Sequence, residues 1–175
     1  MFESERREII QFIEGQGSFD YGKTFAGMAG SQYPKAFVEF IRNSPSDKQE
    51  RLASAILSMS LEDGEAVKPG YQVISANLLL NLCLRGLKKQ FEPHVDRVRT
   101  RLELSIEEKA WEQPDGDEAA WRFPLALLMT MFVLADDSAE KLRQNLLVES
   151  RNESFRHSLV QLPAVLLALQ KVSGG

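Results

Sequence analysis

Residues 17–24 read GSFDYGKT, which fits the phosphate-binding pattern G-x-x-x-x-G-K-[ST] letter for letter. In that pattern backbone N–H groups wrap the phosphates of a nucleotide, the lysine reaches the terminal phosphates and the hydroxyl holds a metal ion. Gly17, Gly22, Lys23 and Thr24 would then bind the cofactor of a nucleotide-dependent enzyme. The chemistry needs a strand before the loop and a helix opening at its end, so that the helix dipole meets the phosphates. Here EIIQFIEG, ahead of the loop, spaces its isoleucines as a helix does. Beyond it, Gly27 and Gly30 would each cost a helix about 1 kcal/mol relative to alanine, and Pro34 begins the next element. Phe19 and Tyr21 are bulky where small residues let the backbone close on phosphate, and Asp20 has the wrong charge. The stretch MFVLADD, 131–137, offers an acidic metal residue after an apolar run, yet its Ala-, Leu- and Met-rich lead-in reads as helix. The P-loop enzyme is therefore the alternative. The leading reading of 15–33 is a Gly-rich loop tying the first helix to the body, with Phe19, Tyr21 and Phe25 tucked in.

Other catalytic constellations are missing from the sequence. His94 and His157 have no partner at metal-ligand spacing, and neither a G-x-S-x-G nor an H-E-x-x-H motif occurs. No catalytic residue, metal site or cofactor is assigned, and the expectation is a protein that is not an enzyme. In RVRTRLE, Arg99 is placed to pair with Glu103 four residues on, giving a solvated helix face. Asn77 and Asn81, also four apart, read as a hydrogen-bonded structural pair.

Helical periodicity organises the chain. Ile9, Ile10 and Ile13 mark a first helix, and Ala36, Phe37, Phe40 and Ile41 a second. Leu52, Ile56 and Met59 follow the start signals of NSPSD. Another helix runs from Tyr71 to a stop at Gly86, and Val95, Val98, Leu102 and Ile106 mark the next. Asp117 is expected to cap a long helix reaching Ala135, ahead of one marked by Ala139, Leu142 and Leu146. Phe155, Leu159, Leu162, Leu166 and Leu169 step as one amphipathic face. No sustained period-2 alternation occurs. The expectation is a single all-α domain over 1–175, about seven or eight helices packed as antiparallel hairpins, with an acidic loop at 61–70. Pro124 and Pro163 fall inside helical patterns, where each predicts a kink.

FPLALL at 123–128 returns as LPAVLL at 162–167, with ISANLL at 74–79 a looser copy. The stretch FPLALLMTMFVLADDSAEKLRQNLL resembles a unit of the HEAT repeat family: Pro124 and a leucine-rich helix, an acidic turn at Asp136-Asp137, then a second helix carrying Arg143. The resemblance covers about one hairpin and implies helical hairpins stacked side by side.

Composition narrows the job further. A net charge of −4 and a pI near 5.3 argue against a general nucleic-acid binder, which needs a basic surface, and suit a basic protein partner. Cys83 is the single cysteine, so no intramolecular disulfide forms and a reducing compartment fits. The charged opening MFESERRE lacks the apolar core of an export signal, and the longest apolar run, Phe123 to Ala135, is too short to span a bilayer. A soluble, cytoplasmic protein is expected, without membrane or nucleic-acid partners and with room for homo-oligomers.

The acidic segments fall into one group. If successive helices run antiparallel, LEDGE (61–65), WEQPDGDEAAW (111–121) and ESRNE (149–153) share one end of the bundle, and RGLKKQ (85–90) lies at the other. Glu62, Asp63, Glu65, Glu112, Asp115, Asp117 and Glu118 then gather beside Trp111 and Trp121. Aromatic anchors rimmed by charge are the composition of a protein interface. In size, charge and helicity the chain is similar to inhibitor and bacterial immunity-type proteins. The expected function is non-enzymatic occlusion of a basic partner, with a small-molecule-binding helical sensor as a further alternative.

Overall fold

The computed structural model describes residues 2–15, 32–61, 69–109, 111 and 121–173. Among these the fold is all-α. The elements in order are α1 (Glu3–Gly15), α2 (Gln32–Arg42), α3 (Ser46–Leu61), α4 (Pro69–Leu82), α5 (Val95–Glu108), α6 (Arg122–Val133), α7 (Ala139–Glu149) and α8 (Glu153–Ser173). Between α4 and α5 lie a wide turn, Cys83–Leu87, one helical turn, Lys88–Phe91, and a tight turn, Glu92–His94.

Two helices make the centre. In α6 every residue from Phe123 to Met131 is buried, and in α4 every residue from Ile74 to Leu82. A helix apolar all round belongs inside a bundle. α4 packs between α3 and α6, while α5, α7 and α8 pack on α6. The outer helices give the core one face each: Ile9 and Ile13 from α1, Phe37 and Ile41 from α2, Val98 and Leu102 from α5. α1 is clipped to α3 by Glu5 to Arg51 at 2.9 Å and Glu8 to Lys48 at 2.8 Å. No helix among the described residues is long and apolar enough to cross a membrane.

The breaks between helices explain the topology. Gly86 has φ +101°, and a Cβ there would lie 2.6 Å from Arg42 Nη2. That guanidinium donates to the Arg85 carbonyl, and glycine is required here for the left-handed backbone. At the end of α6, Ala135 takes φ 59°. Its N–H bonds the Phe132 carbonyl at 3.0 Å, and the Asp136 N–H bonds Met131 at 3.0 Å, a Schellman stop. Asp136 then receives the Ser138 N–H at 2.8 Å and Arg99 at 2.9 Å. Burial alone would raise the Asp136 carboxyl, but the hydrogen bonds from Ser138 and the Arg99 charge outweigh it and hold it below its ordinary value. Arg99 thus pairs with Asp136 and Asp96 rather than with the anticipated Glu103. The buried carboxylate offers a drier and better-oriented partner than a solvated one.

Of the two prolines, Pro163 falls in the interior of its helix as anticipated and Pro124 does not. Pro124 lies in the first turn of α6, which begins at Arg122, so its missing donor is one that no helix start uses and no kink follows. Pro163 is inside α8 and leaves the Leu159 carbonyl without its usual partner. Arg143 Nη1 of α7 supplies the bond at 3.0 Å. Glu140 grips the same guanidinium at 2.7 and 2.9 Å, and the Arg143 hydrogen bond, then that of Gln144, pulls its carboxyl down to about 2. Asn77 and Asn81 are both buried, but each Nδ2 donates to a carbonyl of its own helix, Val73 at 3.0 Å and Asn77 at 2.9 Å, instead of joining the other side chain.

Cys83 ends the regular part of α4 and is 3% exposed; burial pushes its thiol up to about 12. The unfolded thiol ionises near 9.0, so between these values the unfolded chain sheds a proton that the folded chain keeps. Stability is therefore expected to fall as pH rises above about 9, by at most ~1.4 kcal/mol per pH unit from this group, with no contribution at lower pH. Urea titrations at several alkaline pH values should show a shallower decline in Cys83→Ala; equal slopes would contradict this account.

Candidate partner-binding end

The site grows from the start of α8. Asn152 caps that helix by accepting the Phe155 N–H on Oδ1 at 3.0 Å. The cap fixes Phe155 pointing inward, where it is 0% exposed. Two rings close on it. Trp111 lies 5.6 Å away, tilted by 44°, and Trp121 lies 6.1 Å away, tilted by 30°. Trp111 and Trp121, the first and last residues of WEQPDGDEAAW, therefore both pack on the first turn of α8, next to 149–153.

No protein-family model, no curated protein and no solved structure matches this chain significantly. Function must be argued from its own residues.

The tryptophans differ in role. Trp111 is 4% exposed, and its buried indole N–H has no hydrogen-bond partner among the described residues. Its ring serves the core, so it cannot be the surface anchor expected of it. Trp121 is only half-buried, with the Arg122 guanidinium 5.1 Å from its ring centre. Glu149, Arg151 and Glu153 nearby along the chain are exposed. Glu62, Asp63, Glu65, Glu112, Asp115, Asp117 and Glu118 lie outside the described residues, as do Asp117's proposed cap and the segment GSFDYGKT with Gly17, Gly22, Lys23 and Thr24. What precedes that segment is described: α1 is helical up to Gly15, where the phosphate-binding pattern calls for a strand. In MFVLADD, Met131 to Val133 are helical and Asp136 is engaged by Arg99 and Ser138.

Two clefts bear on small-molecule binding. One of about 330 Å³ between α3 and the turns after Gly86 is lined by Glu50, Ser54, Lys89, Gln90 and His94 among others. Another of about 380 Å³ between α5 and α7 is lined by Arg99, Glu103, Glu107 and Lys141. Ligand pockets are mainly apolar with a few placed polar groups; the first cleft adds Ala53, Leu57, Phe91 and Pro93 to those polar groups, whereas the second is lined largely by charged side chains. Sequence reasoning missed Phe155 as the hub, because its spacing in α8 marks it only as one more core position.

Proposed function

We propose that this chain is a non-enzymatic protein-binding protein that occludes a basic partner, in the manner of an inhibitor or immunity protein. The supporting observation is the packing of Trp111 and Trp121 on Phe155. It anchors both ends of the segment that carries Glu112, Asp115, Asp117 and Glu118, beside exposed Glu149 and Glu153. Fixed ends lower the ordering cost of a charged loop on binding. Trp121 is the aromatic contact and the carboxylates steer encounter. The test compares the intact chain with Asp115→Lys/Asp117→Lys/Glu118→Lys as baits. A protein retained by the first is then titrated against both by calorimetry at low and high salt. The expected result is a loss of about tenfold or more in affinity with unchanged helicity, and weaker binding of the parent at high salt. Equal affinity of both baits would overturn the assignment.

A further inference from the structure

The middle of the outer side of α8 carries exposed apolar residues where a surface helix is usually polar. Its inner face is the buried row Phe155, Leu159, Leu162, Leu166 and Leu169. On the far side Val160 is 62% and Leu167 56% exposed, with Pro163, Ala164 and Ala168 exposed between and beside them. The line Glu153, His157, Val160, Ala164, Leu167, Lys171 advances by four and three residues in alternation, the spacing of a seam between paired helices. All of these residues are exposed. Contiguous exposed apolar stripes on soluble chains mark contacts.

The ends of this stripe say what covers it. Glu153 opens the line and Lys171 closes it. Against an antiparallel copy of the same helix, Glu153 faces the Lys171 position and Lys171 faces the Glu153 position, while Val160 meets Ala164 and Leu167 packs on the His157 ring. A parallel copy would set like charges together at both ends. The small residues at the middle let the backbones approach closely. We infer that α8 pairs with α8 of a second copy in antiparallel fashion, making a two-fold symmetric dimer through Val160, Ala164 and Leu167, closed by reciprocal Glu153–Lys171 pairs. Such an interface is self-complementary and stops at two. A helix of 21 residues is about 30 Å long, and one helix pair lies at the small end of specific interfaces. The dimer is accordingly weak, with a dissociation constant of order 10 µM.

Sedimentation velocity from about 1 to 200 µM is the experiment, a range that brackets this constant. The chain should move from its 19.7 kDa monomer towards twice that mass. Val160→Glu/Leu167→Glu should remain monomeric throughout, with circular dichroism and thermal unfolding confirming that it folds. Glu153→Lys and Lys171→Glu should each weaken association about tenfold, and the double reversal should restore it, because antiparallel pairing sets 153 against 171, so that each single reversal puts like charges face to face and the double reversal pairs opposites again. A monomer at every concentration, a dimer that survives the apolar double substitution, or single reversals without effect would each overturn the proposal.

Discussion

Phe155→Ala is expected to lower the unfolding free energy by about 3–5 kcal/mol. Phe155 is fully buried, and its ring touches both tryptophans. Removing it leaves a cavity bounded by two rigid indoles that cannot collapse into it, which is the costly kind. It also removes two aromatic pairs worth about 0.5–1.5 kcal/mol each beyond their area. Phe155→Leu keeps most of the apolar volume and discards only the ring pairing, so its expected cost is about 1–2 kcal/mol. Urea unfolding followed by far-ultraviolet circular dichroism separates the two. A cost below about 1 kcal/mol for the alanine would show that the tryptophans pack as well without it.

Arg143→Ala is expected to cost about 2–3 kcal/mol, more than a surface arginine normally contributes. Its guanidinium stands in for the N–H that Pro163 lacks, so its removal strands the carbonyl of the buried Leu159. It also releases Glu140. Pro163→Ala restores the missing donor within α8, and in that background Arg143→Ala should cost about 1 kcal/mol less. The two positions therefore couple although they belong to different helices. Identical costs in both backgrounds would mean that the bond to Leu159 carries no weight. Lysine is no substitute at 143, since a point charge cannot hold the Glu140 carboxylate in a fork and reach the carbonyl together.

These two residues also show what the sequence could tell and what it could not. The stripes in α1, α2, α5 and α8 were legible because each helix turns one face to the core, and Ile9, Phe37, Leu102 and Leu159 are all fully buried. Gly86 and Pro163 were legible as interruptions, because their backbone chemistry is local. The residues that resolve those interruptions were not. Arg42 reaches Arg85 across 43 residues and Arg143 reaches Leu159 across 16, and no periodicity encodes such a reach. Arg99 was misassigned for the same reason: its partner Asp136 arrives from the turn between α6 and α7. Pro124 was misread as a kink because the start of α6 depends on backbone geometry rather than on the apolar run. At the candidate site the tryptophans stood out by type, while the choice between inside and surface depended on Phe155, a distant residue with an ordinary helical spacing.

The chain's two tryptophans share one neighbour, and this gives it an unlabelled optical sensor confined to a single end. Their ultraviolet emission follows the environment around Phe155 and is blind to α1, α2 and α3. Loosening of those first helices would erode the helical signal while the emission colour stayed constant. A partner settling at the tryptophan end would shift the colour and leave the helical signal alone. Two simple spectra thus distinguish where along the molecule an event takes place.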